Sequence, residues 1–435
     1  MPPDFEAANG SFAQPREDGT RLAAPLSRRH FLAKGLAVVA VGSVIPSAFV
    51  RAVFAEDGVS SGPPRRRVLV VLQLGGGNDG LNTVIPYADG AYFGARPRIG
   101  VNPEAVLHLD ERVGLHPSLE GIKGMWDRGQ VAIVQGAGYP TPNRSHFRSM
   151  EIWHTASLAE HERTGWLGRL LDATNHEQRS AWHAANVGSS LPMSFLANGS
   201  FVPSLNSIPT YALATDPGAK GQADRRITDW VRLYAEQGAM GGALALASKT
   251  GTRAYESTVG LHREASSYQP MATYPTNALG SALSTLSSVI TSRLGTTIGY
   301  VTTGGFDSHA NQQGSQPNLL KGVSEAVSAF YSDLAGHGMD ADVLTLMWTE
   351  FGRRVRENAS GGTDHGTATP VFLFGGGVRP GLYGEQPSLA RLDDNGDLRY
   401  TTDFRSIYAT VLSRWFATDP KDVLAGAHPE LPFLA

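Results

Sequence analysis

The sequence predicts an α/β protein with a mostly parallel central sheet and helices on both faces. Three observations predict it: short β-branched apolar runs recur along the chain, amphipathic helical patterns lie between them, and glycine-rich polar loops follow them. At 435 residues, 41% hydrophobic and 18% charged, the chain can bury a substantial core in one large or two ordinary domains.

The elements follow in order. Ser27-Arg28-Arg29-His30-Phe31-Leu32, with Lys34 close behind, precedes an apolar run from Leu36 to Val50. This is the layout of a twin-arginine export signal, and Val53-Phe54-Ala55 offers a small-residue cleavage site after Ala55. The run is broken by Gly42 and Pro46 and is short of the roughly 20 residues a spanning helix needs. The expectation is a signal over 1–55, read by the twin-arginine translocase, and a mature protein with no stable membrane span, periplasmic or otherwise extracytoplasmic. Residues 56–67 read as a linker by composition, so the folded body is expected over 68–435.

Val68 to Leu74 is apolar except for Gln73 and is followed by glycine, as expected of a buried parallel strand. Similar runs stand at Val131 to Gln135, Ile298 to Thr302, Val343 to Trp348 and Pro370 to Phe374. Between them, Leu279, Leu283, Leu286 and Ile290 share one helical face, as do Leu320, Val323, Val327, Tyr331 and Leu334. The stretch from about 155 to 274 is less periodic and rich in Ser, Gly, Asn and Ala, and reads as an insertion or cap. Trp153, Trp166 and Phe195 are expected to pack in the core or cap rather than to form a sugar platform.

Composition narrows the chemistry. A formal net charge of -3 gives no electrostatic reason to expect a nucleic acid partner. With no cysteine, disulfides, thiolate metal sites and a cysteine nucleophile are excluded. Any metal must sit on carboxylate, imidazole or hydroxyl groups.

In an open parallel sheet, ligands collect at the carboxyl ends of the strands. The loops there bring Asp79, Ser145, Asp307, His309, Glu350, Asp364 and His365 from five distant parts of the chain to one expected edge. Carboxylates and imidazoles mixed with a hydroxyl suit one or two divalent cations acting on a phosphoryl or sulfuryl oxygen. Asn143 reads as an N-cap, placing Ser145 in the first turn of a helix whose free N–H groups can hold an anion. Plainer roles exist for each: Asn78 and Asp79 can stabilise a glycine turn, Ser145 can start a helix, and Glu350 can pair with Arg353 or Arg354. Two other motifs fail on context. Gly75-x-Gly77-x-x-Gly80 is followed by Thr83-Val84-Ile85-Pro86 where a dinucleotide fold needs a long helix, and Gly58 to Gly62, the G-x-S-x-G match, lies in the linker.

Taken together, the export signal, Gly76-Gly77-Asn78-Asp79-Gly80-Leu81-Asn82, Arg144-Ser145-His146-Phe147, Gly304 to His309, Thr349-Glu350-Phe351-Gly352-Arg353 and Gly362 to Thr367 resemble the exported bacterial family called domain of unknown function 1501. The resemblance spans nearly all of the expected mature chain. It implies an architecture similar to the alkaline phosphatase and sulfatase superfamily, with a divalent-metal site at the strand ends.

Carried over residue by residue, the resemblance implies Ser145 as nucleophile and Asp307, His309 and His365 as ligands of one metal. Asp79 falls where a first-strand metal carboxylate is expected, and Glu350 where an Asp-His pair normally follows a strand. Asn78, Asn82, Arg144, His146, Arg353 and Asp364 are left to face a substrate. Phe351 stands where a second metal's His belongs, the Asp307-x-His309 spacing is shorter than usual, and the Cys or Ser followed by Pro and Arg needed for formylglycine is absent around Ser145. The expectation is one divalent ion, with zinc, manganese or iron all compatible. The function expected is an exported metal-dependent hydrolase or transferase of phosphate or sulfate esters, small-molecule or glycan. The other reading is an envelope binding or assembly protein that keeps the fold without turnover.

Overall fold

The structure, a computed structural model, describes residues 66–174, 180–212, 223–237, 242–265 and 267–435. The expected export signal, its cleavage site and the linker up to residue 65 lie outside the described residues. Among the described residues the main sheet has strands β1 (Val68–Leu74), β2 (Val131–Gly138), β3 (Ala184–Val187), β4 (Ser204–Leu205), β5 (Ile298–Thr303), β6 (Val343–Trp348), β7 (Thr369–Phe374), β8 (Gly381–Tyr383) and β9 (Thr402–Asp403). Their spatial order is β8-β2-β7-β6-β1-β5-β3-β4, with β9 also on β2.

The five strands read from sequence are all present, three of them longer by one to three residues. β1 lies at the centre, parallel to β5 with Leu69 opposite Ile298 and parallel to β6 with Val68 opposite Val343. Such a strand has no solvent face. Val68, Val70, Leu72 and Leu74 enter one core and Leu69 and Val71 the other, as the two-residue period of a strand requires.

Helices cover both faces. Those used below are α1 (Glu120–Asp127), α2 (His146–Thr155), α3 (Trp166–Ala173), α4 (Ala223–Gln237), α5 (Gly242–Ala265), α6 (Ala278–Thr291), α7 (Gln312–Gly336) and α8 (Phe404–Thr410). The predicted stripes of α6 and α7 enter the first core with Ile122 and Met125 of α1. Trp153 of α2, Trp166 of α3 and Phe404 of α8 fill the second, where Trp153 stacks on Trp348 with ring centroids 5.0 Å apart. Trp153, Trp166 and Phe195 are therefore core, as expected.

The stretch from 155 to 274 differs from the expected insertion or cap in one respect. Its β3 pairs in parallel with β5 and β4 with β3, so residues 184–205 extend the edge of the main sheet. These strands are too short, four residues and two, to announce themselves by periodicity. The helices α4 and α5 that follow pack on each other.

β7 is the one reversed strand, antiparallel to both β2 and β6. No helix separates it from β6, so the chain turns back on the edge it has just left. Residues 349–368 are thereby confined to the carboxyl edge, the edge at which β1, β2 and β5 also end. No helix of the described residues is long and apolar enough to cross a membrane.

Candidate metal centre

Close backbone approach builds the floor of the site. After β1, Gly76 and Gly77 have φ of +117° and +71°, values that side chains rarely tolerate. A Cβ on Gly76 would lie 2.6 Å from the Asp307 nitrogen, and one on Gly77 would lie 2.4 Å from the Phe351 ring. The two glycines thus let the Asp307 loop and Phe351 come together. Phe351 is buried, and its ring centroid lies 4.9 Å from that of His146 and 4.7 Å from that of His365. It supplies the wall on which two imidazoles rest.

Three histidines then converge on Asp307. His146 Nε2 is 3.5 Å from Oδ2, while His309 Nε2 and His365 Nε2 are 3.0 and 3.1 Å from Oδ1. The Nε2 atoms of His309 and His365 are 2.9 Å apart. Each ring is anchored at its other nitrogen. Nδ1 of His146 is 2.8 Å from Glu350 Oε1, Nδ1 of His309 is 3.3 Å from Asp364 Oδ1, and Nδ1 of His365 is 2.8 Å from the Arg144 carbonyl.

Those anchors decide what the cluster can do. A carbonyl or an ionised carboxylate only accepts, so each Nδ1 donates and each neutral ring presents a lone pair at Nε2. The lone pairs of His309 and His365, aimed at each other and at the Asp307 carboxylate, repel unless protons or a metal cation lie among them. The separations of 2.9 to 3.1 Å among His309, His365 and Asp307 Oδ1 come close to the donor–donor edge of about 3.3 Å that a tetrahedral ion with bonds near 2.0–2.1 Å requires. The donor set suits zinc, and also manganese or iron. Burial pushes the Asp307 carboxyl up, but the hydrogen bond and charge of Arg353, with the His365 and His309 rings alongside, outweigh it and hold it at about 2. Asp364 is held below the ordinary carboxylate value by its hydrogen bonds to Asn358 and His309.

His146 is the member that sequence reasoning placed elsewhere, among substrate contacts. It is grouped with Asp307 and His365 by ligand atoms all within 4.8 Å of one another. Its neighbour Ser145 ends the β2 loop, exposed at the start of α2, with no side-chain cap on that helix. Asn143, read as the cap, instead accepts the Ser145 N–H at 2.8 Å and shapes the turn before the helix. Ser145 sits between Arg144, whose carbonyl holds His365, and His146.

Other expectations are corrected by what their side chains touch. Asp79 is sealed from solvent in an ion pair with Arg96 at 2.5 Å and also accepts from Gln312 and the Leu81 N–H, so it serves the turn and not an ion. Glu350 is buried with Oε1 on the Gly76 N–H and His146 and Oε2 on Thr349, which makes it the orienter of His146 in place of a ligand. Asn78 bonds Thr83 and Gln316, and Asn82 bonds Ile99, Tyr92 and Arg96; both are buried and face no substrate. Arg353 is fully buried, spending its donors on the Gly76, Gly77, Phe306 and Thr363 carbonyls and on Asp307 at 2.6 Å. Arg144 is tied to Asp397, and Asp364 to Asn358 and His309. The turn role of Asn78 and Asp79 was among the plainer readings of the sequence, whereas the Arg96, Gln312, Gln316 and Asp397 partners lie on other segments of the chain.

A mixed α/β sheet with a histidine–aspartate cluster at its carboxyl edge defines the class: an α/β protein with a candidate metal centre built from strand-end loops. The chain matches the family model described as "Protein of unknown function (DUF1501)" over residues 66–427, and it belongs to that family. No curated protein matches it. Solved structures similar to it include a protein in complex with k-i-k-neocarrahexaose, at 10% identity over 83% of this chain and 75% of that one, with a TM-score of 0.37. A 2-O GAG sulfatase is similar at 10% identity over 73% and 65%, with a TM-score of 0.33. A sulfatase from Pseudoalteromonas sp. is similar at 10% identity over 88% and 75%, with a TM-score of 0.31. Likeness at this level says nothing of chemistry.

Proposed function

We propose that the protein is an exported metal-dependent hydrolase or transferase of phosphate or sulfate esters. The observation that carries the reading is the convergence of three anchored Nε2 lone pairs on Asp307. His146, His309, His365 and Asp307 would hold the ion, which when bound supplies Lewis acidity toward a phosphoryl or sulfuryl oxygen. Ser145, the residue before His146, offers an exposed hydroxyl, and the uncapped start of α2 leaves N–H groups for an anionic ester. Glu350, Asp364 and the Arg144 carbonyl hold the imidazole tautomers.

Elemental analysis of the purified mature protein is expected to give one divalent ion per chain. A panel of phosphate and sulfate esters then reads turnover in wild type, Ser145→Ala and His365→Ala. Ser145→Ala keeps the ion and loses turnover, because the hydroxyl contributes chemistry more than packing. His365→Ala loses the ion first. A metal-free wild type sinks the reading, and an active Ser145→Ala protein removes Ser145 as nucleophile.

The second reading, a binding or assembly protein without turnover, is favoured by one observation. Arg144 and Arg353, the cations expected to grip an anionic ester, are committed to Asp397 and to backbone carbonyls. A wild type that binds metal and hydrolyses no ester supports it.

A further inference from the structure

We infer that Asp397 is a positioning residue for the candidate centre, acting through Arg144 to fix the ring of His365. The inference rests on the metal reading for its purpose, while its geometry stands without any ion.

The relay starts in a tight turn. Asp393 Oδ1 accepts the N–H groups of Asn395 at 2.9 Å and Asp397 at 2.8 Å, and the Asp393 N–H returns to the Asp397 carbonyl at 2.8 Å. These bonds aim the Asp397 side chain inward, where it has no exposure. Its Oδ2 accepts from both Arg144 Nε, at 2.7 Å, and Arg144 Nη2. Asp393 Oδ2 stands 3.5 Å from the same nitrogen. A guanidinium that donates twice to one buried carboxylate is restrained from swinging, and its backbone is held with it.

The backbone of Arg144 is the part that meets the cluster. Its carbonyl accepts from His365 Nδ1 at 2.8 Å, which forces the proton onto that nitrogen and leaves Nε2 facing Asp307 at 3.1 Å. The same turn grips the other side of His365, because the Leu398 carbonyl accepts the Thr367 hydroxyl two residues further on. Asp397 thus stands behind His365 as Glu350 stands behind His146, with one residue more in between.

Two measurements on the full mature protein test this. In metal-free wild type, nitrogen-resolved NMR is expected to show a slowly exchanging proton on His365 Nδ1, held by the Arg144 carbonyl; in Asp397→Asn that proton is expected to exchange faster. Chelator competition with Zn²⁺ is expected to show affinity falling roughly 10–100-fold, the usual loss when an outer partner of a metal-bound histidine is removed. Arg144→Lys, which keeps the charge but not the two-donor fork, is expected to shift both readouts in the same direction and by less. It serves as the test if Asp397→Asn does not fold. A folded Asp397→Asn protein whose His365 Nδ1 proton exchanges as slowly as in wild type overturns the inference whatever its zinc affinity. A wild type that binds no zinc ends the metal reading alone, and the Nδ1 proton exchange then decides the positioning role by itself.

Discussion

At the scale of single residues, the cluster depends on who holds each imidazole. Glu350 is buried and shares Oε1 between His146 and the Gly76 N–H, so its charge and its shape both matter. Glu350→Gln keeps the shape and removes the charge that favours an Nδ1–H on His146. We expect the fold to persist and metal affinity to fall about 10–100-fold, read by chelator competition; unchanged affinity would remove Glu350 from the site. Part of this was legible in the sequence. Asp307, His309 and His365 announced themselves because each follows or precedes a strand at the same edge. Asp79 gave the same signal and proved structural, because its partner Arg96 comes from a loop that no strand pattern foretells. His146 was misassigned because its Nε2 direction is set by Glu350, 204 residues away.

At the scale of elements, the turn after β1 and helix α2 each carry a prediction. Gly77 at φ +71° has the Phe351 ring where a Cβ would go. Gly77→Ala must strain the backbone, at a cost on the order of 1–3 kcal/mol, and push Phe351 into two imidazoles. Lower melting temperature with weakened metal binding is expected; a loss of stability alone would show that the ring moves without the histidines. In α2, His154 is buried with Nδ1 2.6 Å from Ser194 Oγ, and burial pushes it down to about 4. The neutral ring is favoured in the fold, so the unfolded chain binds the extra proton between about 6.5 and 4. Its stabilisation is complete above the upper value and lost as pH falls toward the lower. Urea melts of His154→Gln should therefore depend less on pH across that window than those of wild type; parallel curves would contradict the assignment.

The strands themselves were legible to within a few residues, as apolar β-branched runs in a parallel sheet must be. The reversal of β7 was not, since nothing in Thr369–Phe374 differs from a parallel strand. Its direction follows from the missing helix before it. Likewise β3 and β4 were hidden inside an irregular stretch because strands of four and two residues are too short to show an alternating pattern.

At the scale of the whole molecule, localisation is open to a direct test. If the Arg pair is read by a receptor and not as bulk charge, changing Arg28 and Arg29 together to Lys leaves unprocessed protein in the cytoplasm. Fractionation followed by immunoblotting reads this, and normal export of the double variant would end the proposal.

The central place of β1 has a consequence for the order of events in synthesis. β1 leaves the ribosome first among the strands, yet its two neighbours are residues 298–303 and 343–348. Contacts so distant in sequence are slow to form, since a long loop must close before either pairing returns any energy. Until then β1 has both edges open and apolar side chains on both faces, the combination most prone to aggregate. Collapse of the early elements alone cannot complete either core. Among the described residues, the first strand to be made must wait for residues 298–303 before it gains a neighbour, and chaperone protection during synthesis matters for Val68–Leu74 over that interval.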